Sequence, residues 1–179
     1  MPVMLTTEDE AKKDIVQDVD SGRLERLIKA VSEDIQAYCG RKFEQQEHTD
    51  VFKSVNQNRL ILSEYPVKSI EYVKIDDEEI EDYEADKESG ILKRDKGWNG
   101  EVEVKYTAGY KLPGETDRDL PYNLEDACIA WVAFRVNTSN ALGLHSYQAE
   151  QMRVQFKDIE SMAPRHVLAL LRMHKDERV

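Results

Sequence analysis

The clearest pattern in the chain is a stripe of apolar residues at helical spacing in its first quarter. The stripe recurs every three or four positions, as one face of an α-helix does, at Leu24, Leu27, Ile28, Val31, Ile35 and Tyr38. Asp20 or Ser21 can cap the start of this helix, and Gly40 can supply the left-handed residue that ends it. The sequence therefore predicts one well-defined amphipathic helix.

A shorter polar helix is predicted before it, from about Thr7 to Val19. Thr6 and Thr7 stand three positions before Asp9 and Glu10, which is the spacing of a capping box.

From about residue 41 to residue 110 the hydrophobic period changes from helical to alternating. Residues 101–107 place Val102, Val104 and Tyr106 on one face and charged residues on the other, as in an antiparallel sheet with one dry face. Earlier strands are predicted at 48–53, 59–63, 67–75, 80–83 and 91–93, with an irregularity at Ser69-Ile70 that is typical of a bulge.

Two turns are predicted within this region. Asn56-Gln57-Asn58 separates two strands and predicts a hairpin, and Gly97-Trp98-Asn99-Gly100 is a second strong turn signal.

Helical spacing returns after the sheet region. A third helix is predicted over about 119–137, with Asp119 as its cap, followed by a loop over 137–148. A late strand is predicted at about 150–157, and Pro164 begins a final helix over about 163–175.

The order of these elements is helix, helix, sheet, helix, strand, helix. Strands that are grouped together, rather than alternating with helices, indicate an α+β fold. We predict a small helical bundle of about four helices with an inserted antiparallel β-hairpin and sheet region. The helical parts are 6–40, 119–137 and 163–175, and the β-rich part is 41–110. The 179 residues are expected to form a single domain.

The net charge of the chain excludes some classes of partner. The net charge of -11 argues against a general nucleic-acid binder and against an anionic membrane surface. The acidity is local, because residues 71–88 hold ten acids and two bases. There is also no run of about 18 apolar residues and no apolar core at the N-terminus, so we expect neither a membrane span nor a signal peptide, and a cytosolic setting.

Candidate chemistry is weak throughout. The four histidines are scattered, the two cysteines suit buried free thiols, and the alternating acids from Asp82 to Glu88 fail the calcium-loop pattern. No nucleophile elbow or phosphate loop is present in the sequence. We therefore predict no catalytic residues, no metal site and no cofactor.

Two features suggest contact surfaces. Trp98 either folds onto the sheet as core or is an exposed anchor for a partner. The late strand either closes the sheet or pairs with the edge of a neighbouring chain. The candidate interface residues are Trp98, Leu144, Tyr147, Met152, Val154 and Phe156.

The order of short motifs resembles that of a known family over about residues 6–174. An early Thr-Thr-Glu-Asp-Glu-Ala-Lys helix start (6–12) is followed by the stripe helix, which ends in Ala37-Tyr38-Cys39-Gly40-Arg41. A Leu-Ser-Glu-Tyr-Pro-Val-Lys-Ser-Ile segment (62–70) then leads into a strand. The most specific piece is Tyr106-Thr107-Ala108-Gly109-Tyr110, followed by a proline-bearing loop and a tryptophan-containing helix. The chain thus resembles the head–tail connector proteins of tailed bacteriophages, also called head completion proteins or neck adaptors.

This resemblance implies a structural protein rather than an enzyme. Such connectors form rings, commonly dodecamers, that bind beneath the portal and receive the tail or a stopper, while DNA passes through as cargo. The implied location is the neck of the virion, after synthesis in the bacterial host cytoplasm. Another phage or prophage tail-completion or interaction module is the alternative, and a small enzyme is the less favoured one.

Within such a ring, acidic residues that face the channel would let DNA slide by repelling its phosphates. The candidates for a channel-facing segment are Asp76, Asp77, Glu78, Glu79, Glu81 and Asp82.

Overall fold

The computed structural model describes residues 3–16, 18–144 and 163–176, and at 54–56 and 138–144 it describes the backbone alone. The fold is α+β, as predicted, and the chain divides into two compact units. Met1–Arg41 and Leu112–Glu177 form a helical unit, and Lys42–Lys111 form a β-unit. The β-unit matches the β-rich part predicted at 41–110, whereas the single domain stays a prediction.

Four helices are described in the helical unit. They are α1 (Glu8–Lys13), α2 (Ser21–Cys39), α3 (Tyr122–Leu144) and α4 (Arg165–Arg172).

The prediction of α2 is confirmed at both ends. The Asp20 side chain accepts a hydrogen bond from the backbone N–H of Arg23 at 3.1 Å, and Gly40 ends the helix with a φ of 70°. The predicted apolar stripe is the buried face, with Leu24, Ile28, Val31 and Ile35 fully buried.

The helix α1 is shorter than predicted. Thr7 caps it by accepting a hydrogen bond from the N–H of Glu10 at 3.2 Å, but the helix ends at Lys13 rather than near Val19. Residues 14–19, which follow, are β-branched or aspartate at five of six positions, and such residues are weak helix formers.

The helix α3 is longer than predicted. It continues through residues 137–144, for which the sequence predicted a loop. The Asn, Thr and Ser residues of this segment favour turns locally, but extending an existing helix costs only a few tenths of a kcal/mol per residue. Its buried line is the predicted one, with Leu124, Cys128 and Trp131 fully buried.

Buried polar contacts hold the segment before α1 inside the helical unit. The N–H of Leu5 donates to Ser32 Oγ at 3.0 Å, and Thr6 Oγ1 donates to Glu125 Oε1 at 3.3 Å. Glu125 is 4% exposed, and its charge is balanced by the guanidinium of Arg118. This pairing satisfies a carboxylate that would otherwise be costly to bury.

The β-unit is a five-stranded antiparallel sheet. Its strands are β1 (Gln46–Ile61), β2 (Val67–Ile75), β3 (Glu78–Glu79), β4 (Glu84–Asp86) and β5 (Ile91–Ala108). The order is β1-β5-β2-β3, and β4 also pairs with β5. The bulge predicted in β2 is confirmed by register shifts on either side of Ser69 and Ile70.

The two predicted turns at 56–58 and 97–100 are wrong, and so is the hairpin predicted between the strands 48–53 and 59–63. Both segments are parts of long strands, and they face each other in one ladder, where Asn56 pairs with Asn99 and Gln57 with Trp98. The turn-forming residues are accommodated as register shifts in β1 and as positive φ angles at Gly97 and Gly100. The strand predicted at 80–83 is also displaced, because the hairpin partner of β2 is β3.

The core of the β-unit lies on the dry face predicted for residues 101–107. Val102, Val104 and Tyr106 are all at most 1% exposed. The other buried members of this cluster are Leu60, Leu62, Val67, Val73, Leu92, Trp98 and Ala108.

Candidate interaction surfaces

The described residues show neither a metal-ligand cluster nor an activated thiol. No group of three or more His, Cys, Asp or Glu residues in the described part of the chain could hold a metal ion. Burial raises the pKa of Cys39 to about 11 and that of Cys128 to about 12, so both thiols stay protonated at neutral pH. No described helix is long and apolar enough to cross a membrane.

The acidic segment is built around the tight turn between β2 and β3. Asp76 and Asp77 form the turn with positive φ angles of 48° and 70°. The carboxylate of Asp76 accepts a hydrogen bond from the N–H of Glu101 at 2.9 Å, and the N–H of Asp76 donates to the carbonyl of Glu101 at 2.9 Å. Asp76 therefore has a structural role, which is to tie the turn to β5.

The carboxylate of Asp82 is also engaged, in ion pairs with two cations. Its carboxylate contacts Arg94 Nε at 2.9 Å and Lys96 Nζ at 2.8 Å. Hydrogen bonds from Arg94 and Lys96 lower the pKa of Asp82 to about 2, so it is ionised at any physiological pH.

Glu71 contacts Lys105, and Asp86 accepts hydrogen bonds from Ser89. The other six acids form an exposed set, which we call the acidic surface. All of them are exposed, and none contacts a cation among the described residues. They are Asp77, Glu78, Glu79, Glu81, Glu84 and Glu88. The sequence located this region correctly, but it did not separate these acids from Asp76 and Asp82.

A second charged surface lies on α4 and was missed by the sequence analysis. Val167, Leu168 and Leu171 are buried, and the opposite face of the helix is exposed. The exposed face and two residues that follow the helix form what we call the basic surface. Its residues are Arg165, His166, Ala169, Arg172, Met173 and Lys175. The signal was in the sequence, since α4 contains no acid.

The candidate anchor Trp98 is a core residue. Its side chain is fully buried, and its ring centroid lies 6.2 Å from that of Tyr83. The indole N–H has no hydrogen-bond partner among the described residues. Trp98 is therefore not an exposed contact residue of this chain.

The other candidate interface residues stay untested. Leu144 is the last residue of α3, and its side chain is not described. Tyr147, Met152, Val154 and Phe156 lie outside the described residues.

The Tyr-Thr-Ala-Gly-Tyr run lies at the end of β5, where Tyr106 organises the chain around it. The Tyr106 hydroxyl donates to Asp50 Oδ2 at 2.9 Å and accepts from the N–H of Glu64 at 3.1 Å. Asp50 Oδ2 also accepts from the N–H of Ser63 at 2.7 Å. Burial raises the pKa of Tyr106 well above its usual range, so the hydroxyl keeps the proton that it donates.

We expect Tyr106→Phe to lower the free energy of unfolding by about 2 kcal/mol, because it removes two hydrogen bonds, one of them to a carboxylate. Urea denaturation followed by circular dichroism measures the change. Tyr72→Phe is the matched control, since the Tyr72 hydroxyl bonds Glu103 on the solvated face and should have a much smaller effect. Equal losses in the two variants would contradict the assignment of Tyr106 as a buried hub.

A model of the head completion protein family matches residues 5–176. The chain belongs to this family. The match covers nearly all of the chain, including both compact units. No curated protein matches the chain.

Solved structures agree with the family at the level of the fold. A chain in the neck of an empty GTA particle, computed with C6 symmetry, has a TM-score of 0.59 at 13% identity, covering 96% of this chain and 89% of that one. The neck of the native particle, computed with C12 symmetry, gives 0.58 at 13% identity, with coverage of 96% and 88%. The virion of the native gene transfer agent gives 0.57 at 12% identity, with coverage of 96% and 89%.

Family membership agrees with the resemblance seen in the sequence and supports a head–tail connector role for this head completion protein. The structure adds a physical reason for two residues of the Tyr-Thr-Ala-Gly-Tyr run. Tyr106 joins β5 to Asp50 of β1 and to Glu64, which follows β1. Gly109 lies where the 43–45 segment passes too close for a side chain.

Proposed function

We propose that this head completion protein assembles into a ring beneath the portal, where it joins the DNA-filled head to the tail or a stopper. The observation that carries the proposal is the family match over residues 5–176. DNA would pass through the ring as cargo, without being read.

The structural neighbours favour a ring with six-fold or twelve-fold symmetry. The necks of the two GTA particles were computed with C6 and C12 symmetry. A dodecamer is the subunit number that the sequence resemblance implied, and we retain it here. The protein would be made in the bacterial host and would act in the neck of the virion, in a structural rather than a catalytic role.

The proposal is tested with the purified full-length protein, with and without the purified portal protein, by light scattering and negative-stain microscopy. We expect rings, or a monomer that forms rings only on the portal. A monomer that ignores the portal at every concentration would overturn the proposal, and binding to tail components alone would favour a tail-completion module.

The late segment remains a proposed contact between subunits. Charged substitutions at Met152, Val154 and Phe156 provide additional variants for the same assay. A folded protein that no longer forms rings would support the contact, and an unfolded protein would show that these residues belong to the core.

A further inference from the structure

The basic surface offers two arginines that form no ion pair within the described residues. Arg165 and Arg172 are exposed, and neither forms an ion pair with a described residue. The ammonium group of Lys175, which follows α4, lies 5.5 Å from the centroid of the Tyr38 ring near the end of α2. Met173, which is 67% exposed, adds an apolar side chain to this surface.

The acidic surface carries the opposite charge, and its carboxylates are likewise unpaired within the described residues. Six exposed carboxylates lie on the turn, the short strands and the loop between Asp77 and Glu88, without a described cation in contact. The charge is concentrated, because the whole segment 71–88 carries ten acids against two bases. Such a surface is unfavourable beside DNA and favourable beside a cluster of arginines.

A ring is built from contacts between two different surface patches. Neighbours around a closed ring meet through two different patches, so that each subunit offers one patch to the left and the other to the right. The basic and acidic surfaces belong to different compact units and are complementary in charge. A second copy of this chain would supply the partner for both surfaces, in a one-to-one ratio that leaves neither surface unmatched within a closed ring.

We propose that the acidic surface of one subunit docks on the basic surface of the next, with Glu78 and Glu79 facing Arg165 and Arg172. This inference rests on the proposed ring. It replaces the channel-facing role that the sequence suggested for the same acids, since carboxylates held against a neighbour would not line the path of the DNA. Opposite charges that meet in this way set the orientation and the rate of association as well as the affinity.

The test is a charge exchange. Arg165→Glu with Arg172→Glu should raise the protein concentration needed for ring formation about tenfold or more, and Glu78→Lys with Glu79→Lys should do the same. The protein carrying all four substitutions should recover ring formation, because the charges are exchanged rather than removed. Assembly of the wild-type protein should also weaken as the salt concentration rises.

Matched controls carry the same change of charge elsewhere. Arg23→Glu with Arg26→Glu alters exposed residues of α2, and Glu33→Lys with Asp126→Lys alters exposed residues of α2 and α3. Both controls should form rings as the wild type does. Circular dichroism confirms that each variant is folded, and Arg165→Gln with Arg172→Gln replaces the reversed pair if that pair unfolds.

The outcomes separate this inference from the proposed function. If the wild type forms no ring even with the portal, the proposed function fails. If the wild type forms rings and either reversed pair does so equally well, the inference is overturned. Failure of the four-substitution protein to recover would also overturn it, because the two surfaces would then contact different partners. If Glu78→Lys with Glu79→Lys left the rings intact but altered DNA retention or ejection, the inference would be overturned and the acids would be assigned to the channel wall.

Discussion

Trp98→Ala is expected to lower the free energy of unfolding by about 4 kcal/mol, the largest effect that we predict for a single substitution. Trp98 is fully buried in the core of the β-unit, so its removal loses the transfer energy of a large side chain and leaves a cavity. Equilibrium denaturation in urea, followed by circular dichroism, measures the loss.

Trp98→Phe is the matched variant. Phenylalanine fills most of the same volume, and the indole N–H has no described hydrogen-bond partner to lose, so the cost should be only about 1.5 kcal/mol. Val16→Ala serves as the surface control, because Val16 is 95% exposed and its truncation should change stability by no more than about 0.5 kcal/mol. Unchanged stability of Trp98→Ala together with lost ring formation would instead make Trp98 a contact residue.

Gly109→Ala is expected to cost about 3 kcal/mol, from backbone strain and from a collision with the main chain. Gly109 has a φ of 102°, and a Cβ there would lie 2.5 Å from the carbonyl oxygen of Glu44. Backbone hydrogen bonds hold both sides in place, from Gly109 N to the Pro66 carbonyl at 3.0 Å and from Tyr110 N to the Phe43 carbonyl at 2.7 Å. The neighbouring segment therefore has little freedom to move away.

Gly40→Ala separates the two causes. Gly40 also has a positive φ, of 70°, but a Cβ at this position meets nothing within 4 Å. Its substitution should cost about 1 kcal/mol, which is the cost of the backbone conformation alone. Equal losses at Gly40 and Gly109, again measured by urea denaturation, would show that the 43–45 segment yields and that the collision contributes nothing.

The helices were predictable where local sequence and burial agree. The apolar stripe of α2, its Asp20 cap and its Gly40 terminus are local signals, and each is confirmed. The ends of α1 and α3 were not predictable in the same way, because the local preference of a few residues competes with the small cost of extending or ending a helix.

The sheet shows where local signals mislead. Asn56-Gln57-Asn58 and Gly97-Trp98-Asn99-Gly100 are both typical of turns, yet each segment lies opposite the other in the ladder of β1 and β5. A turn preference is read within four residues, whereas this pairing joins residues about 40 positions apart. Bulges and positive φ angles at glycines allowed the long-range pairing to prevail.

The candidate surfaces were also predictable only where the signal is local in sequence. Sequence by itself determined the α+β class, the family resemblance and the position of the acidic segment, because composition, periodicity and motif order are properties of the chain read in order. Only the tertiary structure decided that Trp98 is core, that Asp76 and Asp82 are already bonded, and that the cations of α4 share one exposed face. Burial and pairing depend on residues that are distant in sequence, and folding alone brings those residues together.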